Sequence, residues 1–173
     1  AVCCLQHCNT ATAQRSMAAI FDAVRACDVE ALRRAIAAGG DPDMPHGVGA
    51  ELTPLYYAAC WHSGPPGEQI RERLECISVL LEAGASVDKL VCGVTPLYHV
   101  VASSLFEDRA DEIAALVEAL VKAGADVNWA HPPSQISVLT MAAQSSTAGA
   151  VRMLISAGAV DLTTALEFAI DND

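Results

Sequence analysis

The chain has 173 residues, which is enough for one domain with a continuous core but not for two full-size domains. Apolar residues make up 53% and charged residues 18%, a composition that excludes intrinsic disorder. No uncharged apolar run reaches the roughly 18 residues that a membrane helix needs. Acidic residues outnumber basic ones by 21 to 10, so the basic stripe of a nucleic-acid binder is absent.

The N-terminal segment, residues 1–16, precedes any regular pattern, and we predict a poorly ordered tail. It contains four potential zinc ligands, which are Cys3, Cys4, His7 and Cys8. Structural zinc sites generally use two separated pairs of ligands, and no second pair follows. We therefore predict no metal site, with a small metal or redox protein as the alternative. The seven cysteines do not form a disulfide framework and no secretory signal is visible, which predicts an intracellular, cytoplasmic chain.

The remaining residues, 17–173, divide into similar segments at approximately 18–50, 51–92, 93–135, 136–161 and 162–173. The second and third segments begin with Thr-Pro-Leu-Tyr at 53–56 and 95–98, and Ser137 begins the fourth. A threonine or serine there caps the first helical amides, and proline fits the first helical position. Four apolar runs end in glycine, at Gly39, Gly84, Gly124 and Gly158. Glycine readily adopts the left-handed conformation that terminates a helix.

A Thr-Pro-Leu-x-x-Ala-Ala start with a Gly-Ala-Asp-Val-Asn close resembles the ankyrin repeat. The resemblance implies an all-α, ankyrin-type helical solenoid of about four repeats plus a terminal half repeat at 162–173. Each repeat would contribute two antiparallel helices and a projecting hairpin, called here a finger. Exposed Arg33 and Arg34 on the second helix of the first repeat would suit a terminal cap.

The spacing between the capping residue and the closing glycine indicates insertions. It is 21 residues from Ser137 to Gly158, as in a standard repeat, but 31 from Thr53 to Gly84 and 29 from Thr95 to Gly124. The second and third repeats therefore carry about ten and eight additional residues between their helices. We predict that their outer helices are longer by two turns.

The resemblance implies a non-enzymatic protein–protein interaction module that binds through its fingers and its concave inner-helix face. A regulatory or substrate-recruiting segment of a larger multidomain enzyme, channel or ubiquitin-ligase component is the alternative. The acidic balance predicts a partner with a basic or mixed surface. The candidate partner-binding residues are Met44, His46, Leu52, Trp61, Lys89, Leu90, Val91, Val94, Trp129, His131, Ile136 and Gln144.

Aromatic residues within this set have two interpretations. Trp129 is either an exposed finger-tip anchor or packs against the neighbouring finger, beside Pro132 or Pro133. Tyr56 and Tyr98, which stand where the family usually has histidine, are predicted core residues, and His99 a packed helix residue. Asn128 occupies the finger position that the resemblance implies can be hydroxylated; the alternative is a polar residue bonding turn amides.

No catalytic or cofactor-binding site is predicted. Cys60 and His62 would diverge by about 200° on a helix, so they cannot form a nucleophile–base pair. No glycine-rich phosphate-binding loop is present. The acidic pair Asp111 and Glu112 is predicted to lie on a solvated helix face or in an N-terminal helical turn.

Overall fold

A computed structural model describes residues 18–45, 52–60, 69–103, 110–144 and 148–161. The helices are α1 (18–25), α2 (Val29–Ala37), α3 (Pro54–Cys60), α4 (Ile70–Glu82), α5 (Pro96–Ser103), α6 (Ala110–Lys122), α7 (Val138–Gln144) and α8 (Ala148–Ser156). Strands β1 (Ala130–His131) and β2 (Ile136–Ser137) form one antiparallel hairpin. The predicted all-α repeat architecture is confirmed.

The helices form two layers. Helices α3, α5 and α7 contact one another in order and make the inner layer, while α2, α4, α6 and α8 make the outer layer. Each inner helix also packs on the outer helix that follows it. Leucines of both layers fill the space between them without measurable exposure, as Leu55 and Leu97 of the inner helices and Leu120 of α6 do. A single helical pair cannot enclose such residues, so stacking of neighbouring pairs creates the core.

The inner helices begin with the caps that the sequence predicts. The backbone N–H of Tyr56 donates to Oγ1 of Thr53 at 3.1 Å, and that of Tyr98 donates to Oγ1 of Thr95 at 3.3 Å. In the fourth repeat, Ser137 accepts the same bond from the backbone of Thr140 at 3.1 Å. Serine therefore replaces threonine without loss of the cap.

Replacing Thr53 with alanine is expected to lower the free energy of unfolding by about 1 kcal/mol, because the buried amide of Tyr56 loses its acceptor. Ser78→Ala provides the control, since the exposed Ser78 hydroxyl only donates back to the Leu74 carbonyl within α4. Urea titration of both variants measures the difference. Equal stability of the two variants would contradict the assignment of Thr53 as a cap.

The outer helices end as predicted. The backbone N–H of Ala85 donates to the Leu80 carbonyl at 3.0 Å, and that of Gly84 donates to Leu81 at 3.0 Å. This bond pair is the Schellman motif, and it places Gly84 at a φ of +91°. The same pattern recurs after α2, α6 and α8, where Gly39, Gly124 and Gly158 have φ values of +88°, +90° and +93°.

One expectation about the outer helices is wrong, and another holds only in part. Helices α4 and α6 have 13 residues each, against 9 in α2 and α8. Their extension is therefore about one turn rather than two. Asp111 and Glu112 lie in the first turn of α6, which is one of the two predicted placements, but the side chain of Glu112 is buried. The structure supplies the reason, a buried ion pair described below.

Other expectations hold or lie outside the described residues. Arg33 and Arg34 are exposed, as a terminal cap requires. The tail at 1–16 and the half repeat at 162–173 fall outside the part of the chain that the structure describes. Within the described residues, no helix combines the length and the apolar character that crossing a membrane would demand. The repeat boundaries remain predictions.

Candidate functional site

The base of each finger is tied to the next repeat. In each finger, the fourth residue after the closing glycine has a side-chain oxygen. This oxygen accepts a hydrogen bond from a backbone N–H of the next repeat, two residues after the closing glycine of that repeat. The acceptor and donor pairs are Asp43 with Ser86 (2.9 Å), Asp88 with Asp126 (3.0 Å) and Asn128 with Val160 (3.0 Å). This finger ladder joins each finger to the next repeat, and we call the successive fingers the finger row.

Asn128 is exposed, and both polar atoms of its side-chain amide form hydrogen bonds. Its Oδ1 accepts from the Val160 backbone, and its Nδ2 donates to the Gly158 carbonyl at 3.4 Å. This geometry accounts for an asparagine at the position as a link between backbone groups of the last described repeat. Hydroxylation of Asn128 remains a hypothesis.

The second finger exposes one large apolar side chain and buries another. Val91 and Val94 pair through two backbone hydrogen bonds of 2.9 and 3.1 Å around a turn at Cys92 and Gly93, which both have positive φ. Leu90 is 54% exposed, whereas Val91 is only 1% exposed. The prediction that Val91 contacts a partner is therefore wrong. Neighbouring residues of an extended finger point to opposite faces, and Val91 points into the core.

The third finger is a short hairpin whose aromatic residues pack together. The ring of Trp129 makes an edge contact with Tyr98, with centroids 5.0 Å apart, and His131 stacks on Tyr98 at 5.8 Å. Trp129 therefore packs against another side chain, as one of its two interpretations predicted. The side chain it contacts is Tyr98 of inner helix α5, not a residue of the neighbouring finger. His131 also lies 3.0 Å from the Ser134 hydroxyl. Trp129 remains half-exposed, so it offers a partner one edge of a rigid cluster.

Lys89 of the second finger is hydrogen-bonded to the first finger. The Lys89 ammonium group donates to the Asp43 carbonyl at 2.8 Å, so its charge is held at the base of the first finger. Met44, which follows Asp43 in the sequence, is half-buried. His46 and Trp61 lie outside the described residues. The structure therefore makes Lys89 a link between two fingers as well as a candidate contact.

A cleft of about 240 Å³ opens between the first finger and the inner helices, and we call it the inner cleft. Its lining residues are Leu52, Tyr56, Tyr57, Cys60 and His99. The Tyr56 and His99 rings meet edge to face with centroids 5.1 Å apart. Tyr56 and Tyr98 are 9% and 7% exposed, which confirms their placement in the core.

The remaining candidates of the inner face are partly accessible. Val94, Ile136 and Gln144 are half-buried, and the first two also pack against the core. Among the described members of the predicted set, Leu52 lines the inner cleft and Leu90 is the most exposed apolar side chain.

Two titratable side chains of the inner cleft, Cys60 and Tyr56, have raised pKa values. Burial raises the pKa of the Cys60 thiol, with the positive charge of Arg73 opposing it, and the Sγ donates to the Pro96 carbonyl at 3.8 Å. Burial likewise raises the pKa of Tyr56. Both groups are therefore protonated at neutral pH, and a protonated thiol is a poor nucleophile. Among the described residues no group of three potential metal ligands occurs.

Sequence reasoning missed a buried ion pair between the second and third repeats. Arg73 of α4 and Glu112 of α6 form a salt bridge with side chains 9% and 4% exposed. The Arg73 guanidinium group also donates to the carbonyls of Ala58 and Ala59, at 3.0 and 3.1 Å. It thereby satisfies the C-terminal end of α3, which has no closing glycine. An arginine within the apolar periodicity of α4 was the available signal.

Residues 51–90 match the family model described as Ankyrin repeat. This segment is an ankyrin repeat. The match covers α3, α4 and the start of the second finger, and no curated protein matches the chain. The two helical repeats on its C-terminal side have the same caps and closing glycines. The ankyrin repeat is a protein–protein interaction motif and is typically non-catalytic.

Proposed function

We propose that this ankyrin repeat protein is a non-enzymatic interaction module, which binds a protein partner through its fingers and the concave face of its inner helices. The observation that carries the proposal is Leu90, whose side chain is 54% exposed on a finger where the next residue, Val91, is buried. A large apolar side chain held in water on a rigid support gains free energy when a partner covers it.

The inner cleft supports the same face. Leu52, Tyr57 and His99 are half-buried, and the cleft has room for a side chain of a partner. Tyrosine and histidine rings provide contact area at low conformational cost, and their polar atoms can bond a partner's backbone.

The charge of the finger row indicates the partner's surface. Carboxylates occur at Asp41, Asp43, Asp88 and Asp126, and the cation of Lys89 is already held by a carbonyl. The whole chain has a net charge of −11. A partner with a basic or mixed surface would therefore associate faster at low ionic strength than at high ionic strength.

The test compares two exposed apolar side chains on different faces. Leu90→Ser is expected to reduce capture of the partner at least tenfold in pull-downs analysed by mass spectrometry, because it removes the finger's apolar contact. Ile155→Ser is the matched control, since Ile155 is 44% exposed on outer helix α8. Both substitutions are expected to change the free energy of unfolding by about 0.5 kcal/mol or less.

Two results would count against the proposed face. One is retention of the same partners by Leu90→Ser at wild-type levels. The other is their loss with Ile155→Ser, which would place binding on the outer layer. A second series at increasing salt tests the charge argument, because weaker capture at higher ionic strength is expected.

A further inference from the structure

Inner helix α7, in the last described repeat, is enclosed as closely as the inner helices before it. Alignment of the capping residues matches Met141 with Tyr57 and His99. Met141 is 8% exposed, whereas Tyr57 and His99 are half-buried. Thr140 and Ala142 are 1% and 0% exposed. Helix α5 packs against an inner helix on each side, but α7 packs against only α5 among the described inner helices. Another part of the chain therefore covers the side of α7 away from α5, called here its far side.

The cover has limits, and they show which layer it belongs to. Near the end of α7, Ala143 is half-buried, whereas the matched Ala59 of α3 is 0% exposed. In outer helix α8, alignment of the closing glycines matches Val151 with Ile77 of α4. Val151 is half-buried where Ile77 is 0% exposed, and Ile155 of α8 is 44% exposed. The covering element therefore lies against the start and middle of α7, and the outer layer receives less cover at this end.

Chain connectivity identifies the covering segment. Four stretches outside the described residues precede or belong to the first three repeats, namely 1–17, 46–51, 61–68 and 104–109. A fifth stretch, residues 145–147, is the short link between α7 and α8. Residues 162–173 continue directly from the last described repeat. They are therefore the stretch whose connection leads to the far side of α7.

The described chain already reaches α7 before this stretch begins. The Thr140 hydroxyl donates to Oδ2 of Asp161 at 3.1 Å, three residues after the closing Gly158. Packed helices lie about 8–10 Å apart, and three extended residues span about 10 Å. Thr164 is therefore within reach of the place where a further inner helix would begin, even though no residues are left for a full finger.

The sequence of this C-terminal stretch suits an inner helix. The order Thr-x-Leu-x-x-Ala occurs at 164–169 as it does at 53–58, where it supplies the cap and the core contacts of α3. Leu166, Phe168 and Ile170 provide apolar surface that can cover a neighbour. Acidic residues stand between and after them, as expected of a terminal element that also meets water.

We propose that residues 162–173 form one inner helix that packs on the far side of α7 and closes the inner layer at this end. Thr164 caps this helix, and Leu166 takes the place that Leu55 has in α3. The far side of α7 is then occupied by the chain itself and is closed to end-to-end stacking of a second copy. This cap goes beyond the proposed function and is independent of it.

The test observes Met141 by NMR in the full chain, labelled with carbon-13 at its methionine methyl groups. Wild-type protein is expected to give nuclear Overhauser contacts between the Met141 methyl group and residues 162–173. Leu166→Asp is expected to remove these contacts. It is also expected to increase the broadening of the Met141 signal by a soluble paramagnetic agent roughly threefold or more, because a buried methyl group becomes accessible. Val160→Asp is the matched control, since Val160 is 80% exposed and its replacement leaves the cover in place.

Three results would overturn the proposal. One is a wild-type Met141 methyl group whose contacts are confined to residues 18–161. Another is unchanged broadening of Met141 in Leu166→Asp while circular dichroism shows that the fold is retained. The third is contact between labelled and unlabelled chains in a mixed sample, which would make a second copy the cover of α7. If Leu166→Asp unfolds the whole chain, the wild-type contacts still decide the question. The signal of Met44, in the first finger, is expected to stay unchanged in each variant that folds.

Discussion

Replacing Arg73 with methionine is expected to lower the free energy of unfolding by about 3–5 kcal/mol, because Glu112 would remain buried without its cation. The carbonyls of Ala58 and Ala59 would also lose their donors at the end of α3. Such a loss corresponds to a fall in melting temperature of about 10 °C for a chain of this length. Thermal unfolding followed by circular dichroism measures it.

Two further variants separate the charge effect from simple loss of packing. Arg71→Met is the matched control, because Arg71 lies on the same helix but is exposed, and it is expected to be nearly neutral. The double variant Arg73→Met with Glu112→Leu is expected to recover much of the lost stability, since no buried charge remains. If Arg73→Met alone left the free energy of unfolding unchanged, the ion pair would not stabilise the fold.

Gly84→Val is expected to destabilise the protein by about 2–3 kcal/mol. The backbone at Gly84 has a φ of +91°, a region that β-branched residues rarely adopt. A Cβ atom at this position would have nothing within 4 Å, so the cost comes from backbone conformation rather than from a collision. A fall in melting temperature of about 5–10 °C is therefore expected.

Gly84→Asn provides the comparison at the same site. Asparagine tolerates the left-handed region better than other residues with a side chain, so it is expected to lose clearly less stability than valine. Ala83→Val tests the neighbouring position, where φ is −79° and a β-branched residue is acceptable. Similar losses for Gly84→Val and Ala83→Val would mean that the end of α4 is misplaced.

Local hydrogen bonding made much of this fold predictable. The cap at Thr53 involves an amide three residues away, and the closing motif at Gly84 involves carbonyls within five residues. Such bonds depend on a few adjacent side chains and backbone angles, so a short motif is enough to indicate them. The excess spacing from Thr53 to Gly84 revealed the insertion, but not how many of its residues would extend α4.

The candidate site was less predictable because exposure depends on what lies across the core. Leu90 and Val91 are adjacent apolar residues, and no property of the sequence says which one faces water. The bridge to Val94 decides this by orienting the finger. Trp129 likewise looks like an isolated finger residue until Tyr98 is placed 5.0 Å from its ring.

By itself, the sequence determined the helical repeats, their caps, their closing glycines and the acidic balance, because each follows from composition or from residues a few positions apart. Only the tertiary structure decided that Arg73 and Glu112 meet across 39 positions, that Asp43 bonds Ser86 of the next repeat, and that α7 is enclosed on its far side. The reason is that stacking of repeats selects these partners, and the free energy of each contact depends on burial that no short segment contains.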